Sequence, residues 1–456
     1  MLRGMIRTIL QKTCACLCAL TLMFTATAPA YAASLLRDAE IENTLRSFIS
    51  PILTTADIEP DTVRVFIVND KTINAFVAGG LNIFIHTGLI MESETPEMLM
   101  GVMAHETGHI SGAHLSQLTG ASETATIGAL LSYVVGGAAM IAGSGEAGAA
   151  IMSAGQNSSM RNLLSHYRGN EQQADQAAIR YLEALNIPPT GMLDMFELLR
   201  RKEKQYMGNA DPYLRTHPLT TDRIATMRSA IQHSKIPADA VPQSTILQHQ
   251  RMVAKLYAFL ESPQRTFARY PESDTSIPAQ IARAVAWFRT PNADKAIASI
   301  NQLIAELPND PFLLDLKGQI LFENGRVDEA IETYKAATAI LPRNGLILTD
   351  LGKSYLAQEN PANLHMAINA LERAARADDT NHQTFRQLAV AYGKQGNQGE
   401  SYLALAREAA LRNEPRDTLL YAKEALSILN PNSPAALQAE DLAREARELI
   451  KTKKDS

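Results

Sequence analysis

The chain has 456 residues, 46% of them apolar and 20% charged, with a formal net charge of −5. Apolar content near half supports real hydrophobic cores over two to three domains, and excludes intrinsic disorder, a collagen-like repeat and a disulfide-stapled miniprotein. The acidic balance argues against nucleic acid as a charge-driven partner.

The N-terminus places Arg3, Arg7 and Lys12 ahead of an apolar run at residues 14–26, then Pro29 and the small-residue triplet Ala30-Tyr31-Ala32. That is the tripartite layout of a secretory signal peptide cleaved after Ala32. The three cysteines, Cys14, Cys16 and Cys18, all lie inside it, so the mature chain is expected to be thiol-free. Losing three basic groups and no acid takes its net charge to −8. An exported chain of this kind uses no disulfide.

Residues 33–60 carry Leu36, Ile41, Leu45 and Phe48 at helical spacing. Two β-like runs follow, 63–68 and 74–85, the second carrying Gly79-Gly80. Thr95-Pro96-Glu97 predicts a helix start, with Pro in the first turn and an acid near the positive end of the dipole; that helix is expected to continue to about Leu118. Residues 125–143 contain no charge and are rich in Gly and Ala. They read as a mobile or membrane-facing helical hairpin beside the active site, and so a peripheral membrane contact, or as a buried core helix. Helical patterning resumes at 161–186 and 190–207, and the Pro-containing stretch 234–244 reads as a linker.

From residue 277 a 34-residue period emerges. Ala296, Ile300 and Pro308 recur as Ala330, Tyr334 and Pro342, and Gly318 recurs as Gly352. A third copy, Leu388-Ala389 with Tyr392, is displaced by three residues, which places an insertion near 360–364. The period predicts tetratricopeptide (TPR) helix pairs over 277–430, whose concave groove binds a protein partner, followed by a charged capping helix.

The chemistry concentrates in His105-Glu106-Thr107-Gly108-His109. Histidines at i and i+4 share a helix face and can hold one metal ion, with Glu106 beside them to take a proton from water. A third histidine ligand six residues on would fall at Leu115, and His114 points away from that face. The better third ligand is Glu171, in Asn170-Glu171-Gln172-Gln173-Ala174-Asp175, with Asp175 one turn on as the carboxylate that accepts an N–H from a ligating histidine. Two histidines and one carboxylate leave an open position, the mark of a catalytic zinc site. His86 and His166 have no partner at ligand spacing and read as structural.

HETGH, NEQQAD, the run Asn74-Ala75-Phe76-Val77-Ala78-Gly79-Gly80 and Thr216-His217-Pro218 together resemble the HtpX and CAAX prenyl protease family of gluzincin metallopeptidases. The exported, TPR-bearing form is similar to its periplasmic BepA-like branch. The resemblance implies one Zn2+ per chain on His105, His109 and Glu171, Glu106 as general base and Asp175 as the supporting carboxylate. It implies that Asn74 and Ala75 lie on an edge strand that pairs with extended substrate, with Gly79-Gly80 leaving room for the substrate backbone. It makes His217 a regulatory fourth ligand that keeps the enzyme latent, and places Arg223 near the scissile carbonyl as a transition-state contact.

The expected fold is mostly α: an α+β zincin protease domain with a small β-sheet and an HExxH helix, followed by an α-solenoid. The expected division is 1–32 signal peptide, 33–232 protease domain, 233–276 linker and connecting helix, 277–430 TPR repeats and 431–456 capping helix and tail. The function so implied is periplasmic zinc endopeptidase acting on misfolded or misassembled outer-membrane proteins in a Gram-negative bacterium. The outer-membrane assembly machinery is the expected partner at the TPR groove. The rival is a TPR scaffold or chaperone whose protease is latent.

Overall fold

Four short strands and a buried helix set up the N-terminal half, in a computed structural model that describes residues 34–113, 158–205, 213, 217–358 and 360–455. The cysteines, the expected signal peptide, His114 and residues 125–143 lie outside the described residues, as does the side chain of His166. No helix among the described residues is long and apolar enough to cross a membrane.

The sheet has the order β1-β2-β4-β3, with β1 at Leu35–Leu36, β2 at Arg64–Val68, β3 at Ala75–Ala78 and β4 at Asn82–His86. β2 and β4 run parallel, while β1 and β3 pair antiparallel at the two edges. Leu35 and Leu36, expected in a helix, form the edge strand β1; the helix starts only at Ala39, where Asp38 accepts from the N–H groups of Glu40 and Ile41. Period-2 alternation divides the sheet faces. Phe66, Phe84 and Phe76 stack across three strands, at centroid distances of 5.3 and 5.0 Å. Ile67, Ile83, Ile85, Ala75 and Val77 turn to the opposite face and join the core. Gly79 and Gly80 adopt φ of +58° and +87° in the β3–β4 turn, and nothing lies within 4 Å of where a Cβ on Gly80 would stand. The doublet serves the hairpin turn, which favours glycine at positive φ.

Helix Ala39–Thr55 covers the core face of the sheet with Ile41, Leu45, Phe48, Ile49 and Ile52. Helix Pro96–Ser111 lies at the centre of the domain and is buried almost all round, from Met98 to His109. It stops at Ser111, short of the expected end near Leu118, and Ala113 follows with φ of +51°. Helices Ser158–Ala184, Thr190–Gln205 and Thr221–His233 complete the domain.

Helix Gln243–Leu260 does more than connect. Met252, Val253 and Leu256 belong to the core of the first domain, whereas Ala254 and Ala258 belong to the core of the superhelix. Beyond helix Pro263–Arg269, paired helices begin at residues 277, 311, 345, 382 and 415. The 34-residue spacing holds from 277 to 345, lengthens to 37 before 382, where the extra residues are taken up by a 3-10 turn at Pro361–Asn363, and shortens to 33 before 415. Within a pair, Tyr334 fills the space that Gly318 leaves: a Cβ on Gly318 would meet the tyrosine ring at 2.7 Å. The segment expected as a charged cap, Pro434–Asp455, packs as the second helix of the last pair.

Candidate metal centre

The central helix and helix Ser158–Ala184 cross where Gly108 faces Ala174, and a Cβ on Gly108 would stand 2.8 Å from the Ala174 carbonyl oxygen. This small residue in HETGH therefore sets how closely the two helices approach. It brings Glu171 and Asp175, on one face at i and i+4, against His105 and His109. His217 enters from the chain just before helix Thr221–His233, held by its N–H to the Tyr213 carbonyl at 2.7 Å. The Tyr213 ring stacks on the imidazole at 4.6 Å between centroids.

The donor atoms converge. Nε2 of His105 and Nε2 of His109 are 3.1 Å apart, and Nε2 of His105 is 3.3 Å from Nδ1 of His217. Glu171 Oε1 lies 3.2 Å from His109 Nε2 and 3.1 Å from His217 Nδ1, and Oε2 lies 3.4 Å from His105 Nε2. All four residues place a ligand atom within 4.8 Å of one another. Ligands bonded at about 2 Å to a tetrahedral ion stand about 3.3 Å apart, so the donor set present fits a metal of the zinc class. Glu106 is 1% exposed, and its Oε1 has no hydrogen-bond partner, although His217 Nε2 is 3.5 Å away.

Behind the donors sits a second layer of charge. His105 Nδ1 is 2.8 Å from Asp175 Oδ1, which leaves Nε2 to face the cluster as an acceptor when His105 is neutral. Arg223 donates to both oxygens of Asp175, at 2.6 and 2.9 Å, and pairs with Glu171 Oε2 at 2.9 Å. It also donates to the Pro218 carbonyl at 3.1 Å and stacks over Phe196. Arg223 is 1% exposed. Expected beside the scissile carbonyl, its guanidinium is instead committed to the two carboxylates that hold the histidines.

Burial disfavours ionisation throughout, and the neighbours decide each outcome. Burial alone would lower the pKa of His105, but hydrogen bonds to Asp175 and Glu171 outweigh it and raise it to about 9. Burial wins at His109, helped by the two neighbouring imidazoles, and lowers it to about 3. Burial also works against charge on Glu171, yet His217 and the hydrogen bonds from the imidazoles hold it well below the usual carboxylate range. Glu106 receives less compensation, and burial pushes it up.

The structure therefore brings together His105, Glu106, His109, Glu171, Asp175, His217 and Arg223. Asn74 and Ala75 lie at the start of edge strand β3, which packs against the central helix that carries His105 and His109. Asn74 is buried, and its Oδ1 has no hydrogen-bond partner. Tyr213, unremarked in the sequence, is the added neighbour. A lone tyrosine four residues before a His-Pro pair carries no signal of its own until the turn closes.

Residues 36–231 match Peptidase family M48, and residues 318–359 match a TPR repeat. The chain is 26% identical to the beta-barrel assembly-enhancing protease of Yersinia pestis, over 76% of this chain and 71% of that one. It is 25% identical to the protein of the same name from Escherichia coli, over 83% of this chain and 77% of that one. Similarity also extends to the outer membrane protein assembly factor BamD of Neisseria gonorrhoeae, at 26% identity over 51% of this chain and 83% of that one.

Proposed function

We propose that this chain, whose residues 36–231 match Peptidase family M48 and whose residues 318–359 match a TPR repeat, is a periplasmic zinc endopeptidase that removes misfolded or misassembled outer-membrane proteins. The observation that carries this reading is the convergence of His105, His109 and Glu171 at the spacing of tetrahedral ligands, beside a Glu106 oxygen left without a partner. Zinc held by those three residues supplies Lewis acidity toward the scissile carbonyl and lowers the pKa of water. Glu106 takes a proton from the attacking water and delivers it to the leaving amine, completing cleavage of the peptide bond. Asp175 keeps His105 in the right tautomer and orientation, and Arg223 keeps Asp175 and Glu171 in place. The free side of β3, opening at Asn74 and Ala75, offers a ladder on which an extended substrate adds as a strand. An exposed, unfolded segment can pair there; a folded protein has no free strand to offer. The TPR groove recruits the client or the assembly machinery, in keeping with the names of the relatives.

The test is Glu106→Gln. It is expected to keep metal content while lowering casein cleavage by about 100- to 10,000-fold. Casein cleavage at the wild-type rate by the metal-loaded variant sinks the assignment.

The placement of His217 favours a second reading, a scaffold with a latent protease. Its Nδ1 lies 3.3 Å from His105 Nε2 and 3.1 Å from Glu171 Oε1, so it can serve as a fourth ligand to the same metal. His217→Ala is expected to raise casein cleavage and self-cleavage above wild type; unchanged cleavage with metal bound removes His217 from the control of access.

A further inference from the structure

A cavity of about 930 Å³ lies between the M48 domain and the superhelix, and shares no residue with the metal cluster. Strand β2 and helix Ala39–Thr55 form one wall; the turn at 342–346 and the end of helix Leu364–Ala377 form the other. Six arginines line it: Arg37, Arg46, Arg64, Arg343, Arg373 and Arg376. We propose that this cavity binds an acidic polypeptide segment through its carboxylates, as a docking site distinct from the peptidase centre and from the concave TPR groove.

The charge arithmetic singles out one side. Only four acids, Glu42, Asp61, Asp378 and Asp379, share the cavity. Arg37 pairs with Glu42 and Asp378, and Arg64 pairs with Asp379 at 3.1 Å. Arg46 donates to the Pro60 and Val63 carbonyls and lies in the field of Asp61. The superhelix wall is left uncompensated. Arg373 bonds only the main-chain oxygen of Pro342, Arg343 has no partner among the described residues, and the carboxylate beside Arg376, Glu372, lies outside the cavity. Two positive charges are thus in surplus, and Arg343, exposed, and Arg373, half-buried, carry them on the superhelix wall.

The type of anion follows from what lies between the arginines. A guanidinium fork suits carboxylate and phosphate equally. A dense polyanion would bring its charges against the four acids in the lining. A peptide with isolated carboxylates can set each on an arginine and its uncharged stretches on the acid-bearing parts. The lining also offers Val65, Pro342 and Leu346, apolar surface that suits a polypeptide and that inorganic phosphate cannot use. This inference does not depend on whether the metal centre hydrolyses anything, because the two sites have no residue in common.

The experiment uses the full mature chain in a Glu106→Gln background, so that the probe survives. Fluorescence anisotropy follows a labelled decapeptide carrying a pair of aspartates and an apolar residue, its asparagine counterpart, and inorganic tripolyphosphate as competitor. The aspartate peptide is expected to bind about tenfold more tightly than the asparagine peptide, and Arg343→Ala with Arg373→Ala is expected to erase that margin. Both arginines retain solvent contact, so the double variant is expected to fold, with unchanged metal content as the check. Equal affinity for the two peptides, or a double variant that binds like wild type, overturns the proposal. Displacement of the aspartate peptide by tripolyphosphate at lower concentration than by unlabelled peptide also overturns it, and marks a phosphate site instead.

Discussion

The molecule buries charge in two places. One is the metal centre; the other is the junction between the N-terminal domain and the superhelix. At the junction, Lys255 is 1% exposed and pairs with Asp38 at 2.9 Å and Glu40 at 3.5 Å, while Arg251 pairs with Glu40 at 2.7 Å and with Asp310. Each cation there meets carboxylates. At the metal centre the acceptors converge on one another instead: three ring nitrogens and a carboxylate crowd a single point, and Glu106 Oε1 meets no donor. Burial of charge is common to both and so marks neither as functional. What separates them is the direction in which lone pairs point, outward to a cation at the junction and inward to one another at the centre.

The largest expected effect tests the charges behind the donors. Asp175→Ala removes the acceptor of both Arg223 and His105. It is expected to cost about 3–5 kcal/mol in urea unfolding, as loss of one partner from a buried pair does, and to weaken metal binding about 10- to 100-fold. Intact metal affinity in a folded variant would show that the layer behind the donors acts on stability alone, and the contrast between the two regions would weaken.

Lys255→Met is the counterpart at the junction. It leaves Asp38 and Glu40 short of a cation, although Asp38 still caps its helix and Glu40 still holds Arg251. The expected loss is about 3 kcal/mol of stability, with metal content and cleavage per folded molecule unchanged. A fall in metal affinity would join the two regions into one network.

The same contrast explains what could be read from residue order. HETGH and NEQQAD are legible because a helix converts spacing into facing, and both halves of the donor set lie on helices. Arg223 is harder: its partners lie 48 and 52 residues earlier, and nothing in local spacing says that a guanidinium will turn to carboxylates behind the donors. Gly79-Gly80 is legible as a special backbone, but a turn and a substrate approach call for the same residue. Helix Gln243–Leu260 hides its importance because its apolar residues serve two cores, so Met252, Val253 and Leu256 face one way and Ala254 and Ala258 another. The superhelix is legible through its period, and Pro361–Asn363 absorbs the insertion in it.

The smallest effect is also the one that reverses sign. The junction has more acid than cation, since Asp315 adds to Asp38 and Glu40 around Lys255, and Asp350 lies in the field of Asp315 and Asp38. Burial pushes Asp350 up to about 6, with Lys353 working against the shift and Glu323 and Asp38 adding to it. Glu171 in the metal centre is buried too, yet its imidazole neighbours keep it ionised. A carboxyl whose pKa is raised on folding binds its proton more tightly in the folded state than in the unfolded one, where the value is about 4. Its contribution therefore favours folding at pH 4 and falls away as pH rises through about 6, leaving a charged, partly desolvated group at pH 7. Asp350→Asn removes that charge. It is expected to stabilise the protein by about 1–2 kcal/mol at pH 7, less than full burial implies because the residue keeps some contact with water, and by nothing at pH 4. Urea midpoints at the two pH values check this. An equal gain at both would assign the effect to the amide's own contacts, and the surplus of acid at the junction would then carry no cost.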